Sequence, residues 1–245
     1  MGKITQSEIV EYVEKNIVKF HKKRLEKLEQ LKLNNVLKKK NPYLFKAKNI
    51  NTAQDYVKNI LDAFLSSQEE GIFGLFLEEL AIFICSKVYK GVRSSYEGMD
   101  LEFDKDKVKY IVSIKSGPNW GNSDQIKRMR HNFKKITETF AIHNPSLTVV
   151  AVNGCCYGQD NVPDKGDYLK LCGQRFWSFI SGNEQLYTEI IEPLGHQAKQ
   201  RNQEFMDEYA NVINRFTFEF LKKFCHSDGQ ILWEEIVKFN SSMNQ

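Results

Sequence analysis

The segment from Gly98 to Lys115 constrains the fold most, because it has the pattern of two alternating strands joined by a short charged turn. Period-two alternation gives each strand one apolar and one polar face. The apolar positions are Met99, Leu101 and Phe103 in the first strand and Val108, Tyr110, Val112 and Ile114 in the second. A tight loop at Lys105–Asp106 predicts an antiparallel hairpin in which Asp100 lies opposite Ile111.

The polar face of this hairpin carries carboxylates and a lysine. Its members are Asp100, Glu102, Asp104, Ser113 and Lys115. Hard cations such as Mg²⁺ take oxygen ligands, mainly carboxylates and phosphate oxygens. A bound cation neutralises the charge of a phosphodiester and lowers the pKa of a bound water, and a lysine beside it can orient or deprotonate that water. The residue types therefore favour metal-dependent phosphodiester hydrolysis with Asp100 as the anchoring ligand.

The arrangement resembles the PD-(D/E)XK nuclease superfamily, in which an acidic residue on one strand precedes an acid-x-Lys triplet on the next. Asp100 matches the first acid and Lys115 the lysine, whereas Ser113 stands where the family has Glu or Asp. The sequence from Ser113 to Gln125 is also similar to the loop after the lysine in some type II restriction endonucleases. Residues 71–79 and 173–182 resemble further pieces of these enzymes. The resemblance implies a catalytic site at Asp100, Ser113 and Lys115.

A second acid is expected from the helix at 73–89, where Glu78 and Glu79 interrupt a run that is apolar on every side. Burial of an unpaired carboxylate costs several kcal/mol, so at least one of the two requires a cation, hydrogen bonds or a metal. In the resembled nucleases a helix glutamate often joins the metal site, which would compensate for Ser113. The resemblance thus implies Mg²⁺ ligands at Asp100 and at Glu78 or Glu79, with Glu102 and Asp104 as alternatives for the second acid. The alternative is a surface pair capped by Lys87 or Lys90.

The predicted register leaves Lys115 roughly 13 Å farther along the strand than the residue opposite Asp100, at about 3.3 Å per residue. That distance is too long for a compact site. We therefore predict a bulge or bend, near residues 104–107 or at Ser113, that brings Lys115 back toward Asp100.

Candidate DNA contacts follow Lys115 in a loop and a basic helix. They are Ser116, Asn119, Trp120, Asn122, Ser123, Lys127, Arg128 and Arg130. Ser123 can cap this helix, whose exposed N-terminal amides would attract a phosphate. The alternative is an ordinary turn in which Trp120 only packs.

A second basic region lies nearer the N-terminus. Net charge is only +4, yet residues 19–48 contain eleven basic side chains against two acidic ones. Neutralisation of phosphates releases counterions and gives affinity that is independent of sequence. We assign Lys38, Lys39 and Lys40 to DNA binding, with a solvated helix face as the alternative.

Helical and strand patterns predict an α/β fold. Helices are expected over residues 5–32, 52–66, 73–89, 123–140, 174–181, 184–193, 198–224 and 230–240, with a buried strand at 147–152. This order predicts a restriction-endonuclease-like mixed central β-sheet flanked by helices, with helical N- and C-terminal additions. We expect one nuclease domain over 1–245, divided into a basic helical part (1–66), a catalytic core (67–182) and a helical C-terminal part (183–245).

The combined prediction is a Mg²⁺-dependent type II restriction endonuclease that cuts double-stranded DNA at a short symmetric site as a homodimer. No apolar stretch approaches about twenty residues and the N-terminus lacks a hydrophobic run, so we expect a cytoplasmic protein without membrane contact. A cognate DNA methyltransferase is an expected partner. The alternatives are a structure-specific or repair nuclease of the same fold, a catalytically inactive DNA-binding module, and a helical partner-binding protein.

Overall fold

A computed structural model describes residues 2–243 and confirms the predicted α/β class. The helices are α1 (Gln6–Glu29), α2 (Leu33–Leu37), α3 (Pro42–Ala47), α4 (Ala53–Tyr89), α5 (Ser123–His143), α6 (Gln174–Ser181), α7 (Leu186–Glu189), α8 (Ile191–Leu194), α9 (Ala198–Phe224) and α10 (Trp233–Ser241). The strands are β1 (Val92–Arg93), β2 (Leu101–Lys105), β3 (Val108–Lys115), β4 (Thr148–Cys155) and β5 (Leu169–Cys172).

The chain divides into two compact units. Unit 1 contains the residues up to Ile17 together with Phe73–His196, and it holds the whole sheet. Unit 2 contains Val18–Ile72 and the residues from Gln197 onward, and its described elements are helical. Its core includes Tyr56, whose ring contacts the rings of Phe45, Phe220 and Trp233.

The sheet of unit 1 is mixed, with the strands in the order β1-β2-β3-β4-β5. β1, β2 and β3 pair antiparallel, whereas β3, β4 and β5 pair parallel. Helix α5 covers one face, where its Phe133 packs in a cluster with Ile111 of β3 and Ala151 of β4. On the other face Phe103 of β2 stacks on Tyr89 at the end of α4. Both faces of the sheet therefore have helix residues packed against them.

The hairpin forms as predicted, but its register differs from the prediction by two residues. The turn is Asp106–Lys107, not Lys105–Asp106, and Lys105 pairs with Val108. Both turn residues have positive φ, 53° and 63°, a backbone that matches the right-handed twist of the flanking strands. Glu102, rather than Asp100, lies opposite Ile111, so the predicted pairing was wrong.

The predicted bulge at 104–107 or Ser113 was also wrong. Pairing runs without interruption from Leu101–Lys105 to Val108–Val112, and Ser113 continues the ladder to Asn153 of β4. The two-residue shift of β3 moves Lys115 toward the start of β2. Just before β2, the Asp100 amide donates to the carbonyl of Val112, which is also the register partner of Leu101.

Helix α4 is continuous, although the sequence predicted separate helices at 52–66 and 73–89. Gly71 and Gly74 lie inside it, and each costs about 1 kcal/mol relative to alanine. Burial of Ile72, Phe76 and Leu77 offsets that cost. The first helix and α9 match their predictions, whereas the predicted helix at 184–193 is divided into α7 and α8.

Candidate active site

Asp100 and Lys115 meet where β2 begins and β3 ends. The Lys115 Nζ lies 3.7 Å from the Asp100 Oδ2. The same carboxylate oxygen accepts a hydrogen bond from the Ile114 amide at 2.6 Å, and the Asp100 amide donates to the Val112 carbonyl at 2.9 Å. Backbone and side chain of Asp100 are thus both fixed by β3, which holds the carboxylate beside the lysine.

Burial raises the pKa of the Asp100 carboxyl, because the protein replaces the water that would solvate its charge. The charge of Lys115 and the Ile114 amide act in the opposite direction, and the nearby negative charge of Glu78 adds to the increase. A carboxylate in such surroundings gains from an additional cation, which would lower its pKa.

Arg93 of β1 joins the two helix glutamates. Its guanidinium lies 2.8 Å from the Glu78 carboxylate and 2.5 Å from the Glu79 carboxylate. The side chain of Glu78 is 18% exposed and that of Glu79 is 58% exposed. The negative charge of Glu78, the less exposed of the two, also adds to the raised pKa of Asp100.

The predicted alternative, a pair capped by Lys87 or Lys90, does not describe these glutamates. Lys87 instead lies 3.5 Å from Glu8, and Arg93 supplies the cation for Glu78 and Glu79. Glu102 and Asp104, the other acids of the hairpin, lie 3.3 Å and 3.9 Å from Lys109. These two acids are therefore already paired with a lysine.

Ser113 is 1% exposed and lies in the middle of the sheet. Its carbonyl accepts a hydrogen bond from the Asn153 side-chain amide at 3.2 Å. A neutral hydroxyl at this position supplies no anionic ligand.

The donor set fits a magnesium site that is completed by water and substrate. Within residues 2–243 no group of three or more His, Cys, Asp or Glu side chains is arranged to hold a metal ion. Mg²⁺, however, is commonly bound by one or two carboxylates together with waters and substrate phosphates. Asp100 is one carboxylate available for such a site, and Glu78, which is paired with Arg93, is a candidate for a second.

The loop after Lys115 is built differently from the prediction in one respect. Asn122, not Ser123, caps α5: its side chain accepts from the Gln125 amide, and the Gln125 side chain accepts from the Asn122 amide. Asparagine satisfies the free amides of a helix start as well as serine does. Asn119 is exposed, whereas Trp120 is partly buried.

The predicted basic contacts on α5 are exposed and singly paired. Lys127 lies 3.4 Å from Asp124, and their side chains are 77% and 86% exposed. Arg128 and Arg130 contact Glu97 and Asp167, each at 2.7 Å. Exposed ion pairs contribute little stability, so these cations can exchange their partners for phosphates at small cost.

The predicted cluster Lys38, Lys39 and Lys40 belongs to unit 2. The Nζ atoms of Lys38 and Lys39 lie 5.7 Å from the ring centres of Phe239 and Phe64. Lys40 donates to the Ala63 carbonyl at 2.7 Å. Each of these lysines therefore has a contact within its own unit.

Arg93 and Asn153 were not predicted as site residues from the sequence. Arg93 lies on a two-residue strand, which is too short to show an alternating pattern. Asn153 did leave a signal, because it is an amide side chain at the end of an apolar strand sequence and therefore requires partners when buried. Its position beside Ser113 follows only from the parallel register of β3 and β4.

Comparison with known proteins decides the family. The model of the type II restriction endonuclease EcoO109I family matches residues 7–202. The chain belongs to this family. Membership accounts for the mixed sheet flanked by helices as a restriction-endonuclease-like fold, and it implies endodeoxyribonuclease activity with DNA as the substrate. No curated protein matches the chain.

Within residues 2–243 no helix combines the length and apolarity needed to cross a membrane.

Proposed function

We propose that this family member is a Mg²⁺-dependent endonuclease that cuts double-stranded DNA at a short symmetric site. The observation that carries the proposal is the contact of Lys115 with Asp100, 3.7 Å apart. A partly buried carboxylate and a lysine at the ends of adjoining strands, with a second acid on a helix, are the groups that metal-assisted phosphodiester hydrolysis requires.

Asp100 and Glu78 would hold the metal, with Glu79 as an exposed neighbour on the same ion pair. Mg²⁺, when bound, supplies charge neutralisation at the phosphate and a water of lowered pKa. Lys115 places its ammonium beside Asp100, where it can donate to a phosphate oxygen and orient the attacking water. Arg93 holds Glu78 in place, and the Ile114 amide holds Asp100.

Cleavage at a symmetric site is best served by a homodimer, because two identical subunits can then read both half-sites and cut both strands. We also propose that the whole chain forms one nuclease domain and that the protein is cytoplasmic. A cognate DNA methyltransferase would protect host DNA from cleavage. The predicted contacts from Ser116 to Arg130 would position the phosphate backbone near Lys115.

One observation favours a second candidate, a catalytically inactive DNA-binding module. Ser113 stands where the superfamily has an acid, and its neutral side chain is buried. In the proposed nuclease, Glu78 compensates for this substitution. The two candidates differ in whether DNA is cut.

The test is digestion of a plasmid of known sequence with Mg²⁺, compared with the same reaction in EDTA. Discrete bands are expected for the wild type, and none for Asp100→Asn. Asp104→Asn is the matched control, since Asp104 lies on the same hairpin and is 69% exposed, and it should cut normally. A smear would indicate a structure-specific or non-specific nuclease. Salt-dependent DNA binding without cleavage would support the catalytically inactive DNA-binding module instead.

A further inference from the structure

A row of polar residues crosses the sheet beneath the loop that follows Lys115. Ser113 of β3, Asn153 of β4 and Lys170 of β5 are register partners, so their side chains share one face. Asn153 is 1% exposed. Its amide nitrogen donates to the Ser113 carbonyl at 3.2 Å, and its oxygen accepts from the Trp120 indole nitrogen at 3.1 Å. The buried amide thus links two strands to the loop.

The loop is held at a second point by Lys170. The Lys170 Nζ donates to the Pro118 carbonyl at 3.0 Å and lies 3.5 Å from the Asp160 carboxylate. Asp160 also pairs with Lys165 at 2.9 Å. Anchors from β4 and β5 therefore fix the loop between Pro118 and Trp120, which limits where the indole ring can lie.

The Trp120 ring is directed at Lys115. The Lys115 Nζ lies 5.3 Å from the ring centre and 3.7 Å from the Asp100 carboxylate. An ammonium within about 6 Å of an indole face is attracted by the negative potential of the ring. The ammonium is thus held between a carboxylate and an aromatic face, and its four-carbon stem loses the freedom to swing away.

We propose that Trp120 is a positioning residue for Lys115, and that Asn153 acts through Trp120 by fixing the indole ring. This inference rests on the proposed catalytic role of Lys115. It gives Trp120 a function different from the DNA contact that the sequence suggested. A residue that positions the lysine should affect the chemical step, whereas a residue that binds DNA in the ground state should affect KM.

The test is steady-state cleavage of a DNA that the enzyme cuts, with kcat and KM measured separately for each variant. Trp120→Leu removes the aromatic face and should lower kcat by about tenfold, with KM unchanged within about twofold. Trp120→Phe keeps a ring but not the indole donor, and should recover most of the loss. Asn153→Ala should resemble Trp120→Phe, and the double variant Asn153→Ala/Trp120→Phe should be no slower than the slower single variant.

Phe218→Leu is the matched control. Phe218 is an exposed ring of α9 with the Lys222 Nζ 3.9 Å from its centre, so the substitution removes the same kind of contact elsewhere. It should leave kcat unchanged. Thermal melting of every variant checks folding, and if Trp120→Leu does not fold, the cycle of Asn153→Ala and Trp120→Phe still tests the coupling.

Lys115→Met in the same assay distinguishes the catalytic role of Lys115 from the positioning role of Trp120. Full cleavage by Lys115→Met would refute the proposed catalytic lysine and the positioning role with it. An inactive Lys115→Met beside a Trp120→Leu variant with normal kcat would refute only the positioning role. An increase in KM at constant kcat for Trp120→Leu would also overturn it, in favour of a DNA contact. Additive effects of Asn153→Ala and Trp120→Phe would show that Asn153 does not act through the indole.

Discussion

The neighbouring glutamates Glu78 and Glu79 offer the sharpest test of the site, because they share one helix and one partner. Both carboxylates contact Arg93, yet Glu78 is 18% exposed and Glu79 is 58% exposed. Burial is the main cause of the raised pKa of Asp100, and the negative charge of Glu78 adds to it. Replacement of each by glutamine keeps the shape of the side chain and removes its charge. We expect Glu78→Gln to impair cleavage severely and Glu79→Gln to change it little.

The magnitude follows from the charges. Two unit charges about 4 Å apart interact by about 4 kcal/mol at an effective dielectric constant near 20. Even half of that, about 2 kcal/mol, corresponds to about 30-fold in rate. Glu78→Gln should therefore lower kcat/KM by at least about 30-fold at fixed Mg²⁺. Glu79→Gln removes an exposed ion pair worth about 0–1 kcal/mol, which limits its effect to about fivefold.

The assay is cleavage of a single DNA substrate over a Mg²⁺ titration, with thermal melting to confirm folding. Glu78→Gln should also require more Mg²⁺ for half-maximal rate, since one ligand has lost its charge. Equal losses in the two variants, or a larger loss in Glu79→Gln, would refute the assignment of Glu78 as the second acid. Normal cleavage by both would refute a helix glutamate as a metal ligand.

Three further predictions concern Asp100, the α5 cap and the basic cluster of unit 2. Because the pKa of Asp100 is raised in the folded protein, its ionisation removes stability as pH rises above the ordinary carboxyl value. In metal-free urea unfolding, Asp100→Asn should therefore gain stability relative to the wild type as pH rises above about 4. A difference in unfolding free energy that does not change with pH would contradict this prediction. Asn122→Ala should lose about 1 kcal/mol of unfolding free energy and Ser123→Ala much less, measured by urea unfolding; the reverse order would contradict the observed cap. Substitution of Lys38, Lys39 and Lys40 by alanine should flatten the slope of log affinity for DNA against log salt concentration. The expected change is up to about two units rather than three, because Lys40 donates a hydrogen bond to the Ala63 carbonyl. An unchanged slope would show that these lysines form a solvated surface and do not bind DNA.

Sequence patterns determined the class of fold and the elements that carry the site. Alternation of apolar residues identified β2 and β3, and helical periodicity identified α1 and α9 with ends close to those observed. The spacing of Asp100 and Lys115, with its resemblance to known nucleases, indicated the family that the comparison then confirmed. These features are local, because each pattern lies within a continuous stretch of the chain.

Strand register was decided only by the tertiary structure. The side-chain pattern of a strand repeats every two residues, so a shift of two leaves every apolar residue on the same face. The pattern therefore could not distinguish the predicted pairing from the observed one. In the folded hairpin Lys105 pairs with Val108 around a left-handed turn at Asp106–Lys107. This register accompanies the 3.7 Å approach of Lys115 to Asp100.

The contacts of the site residues could likewise not be predicted from the sequence. Arg93 meets Glu78 because β1 lies at the sheet edge beside α4, and Asn153 meets Trp120 because β4 runs parallel to β3. Such contacts join residues that are distant in the chain, and their energies depend on burial that a linear pattern does not contain. The sequence determined which residues could take part in chemistry on DNA, and the packing of the sheet decided which of them meet.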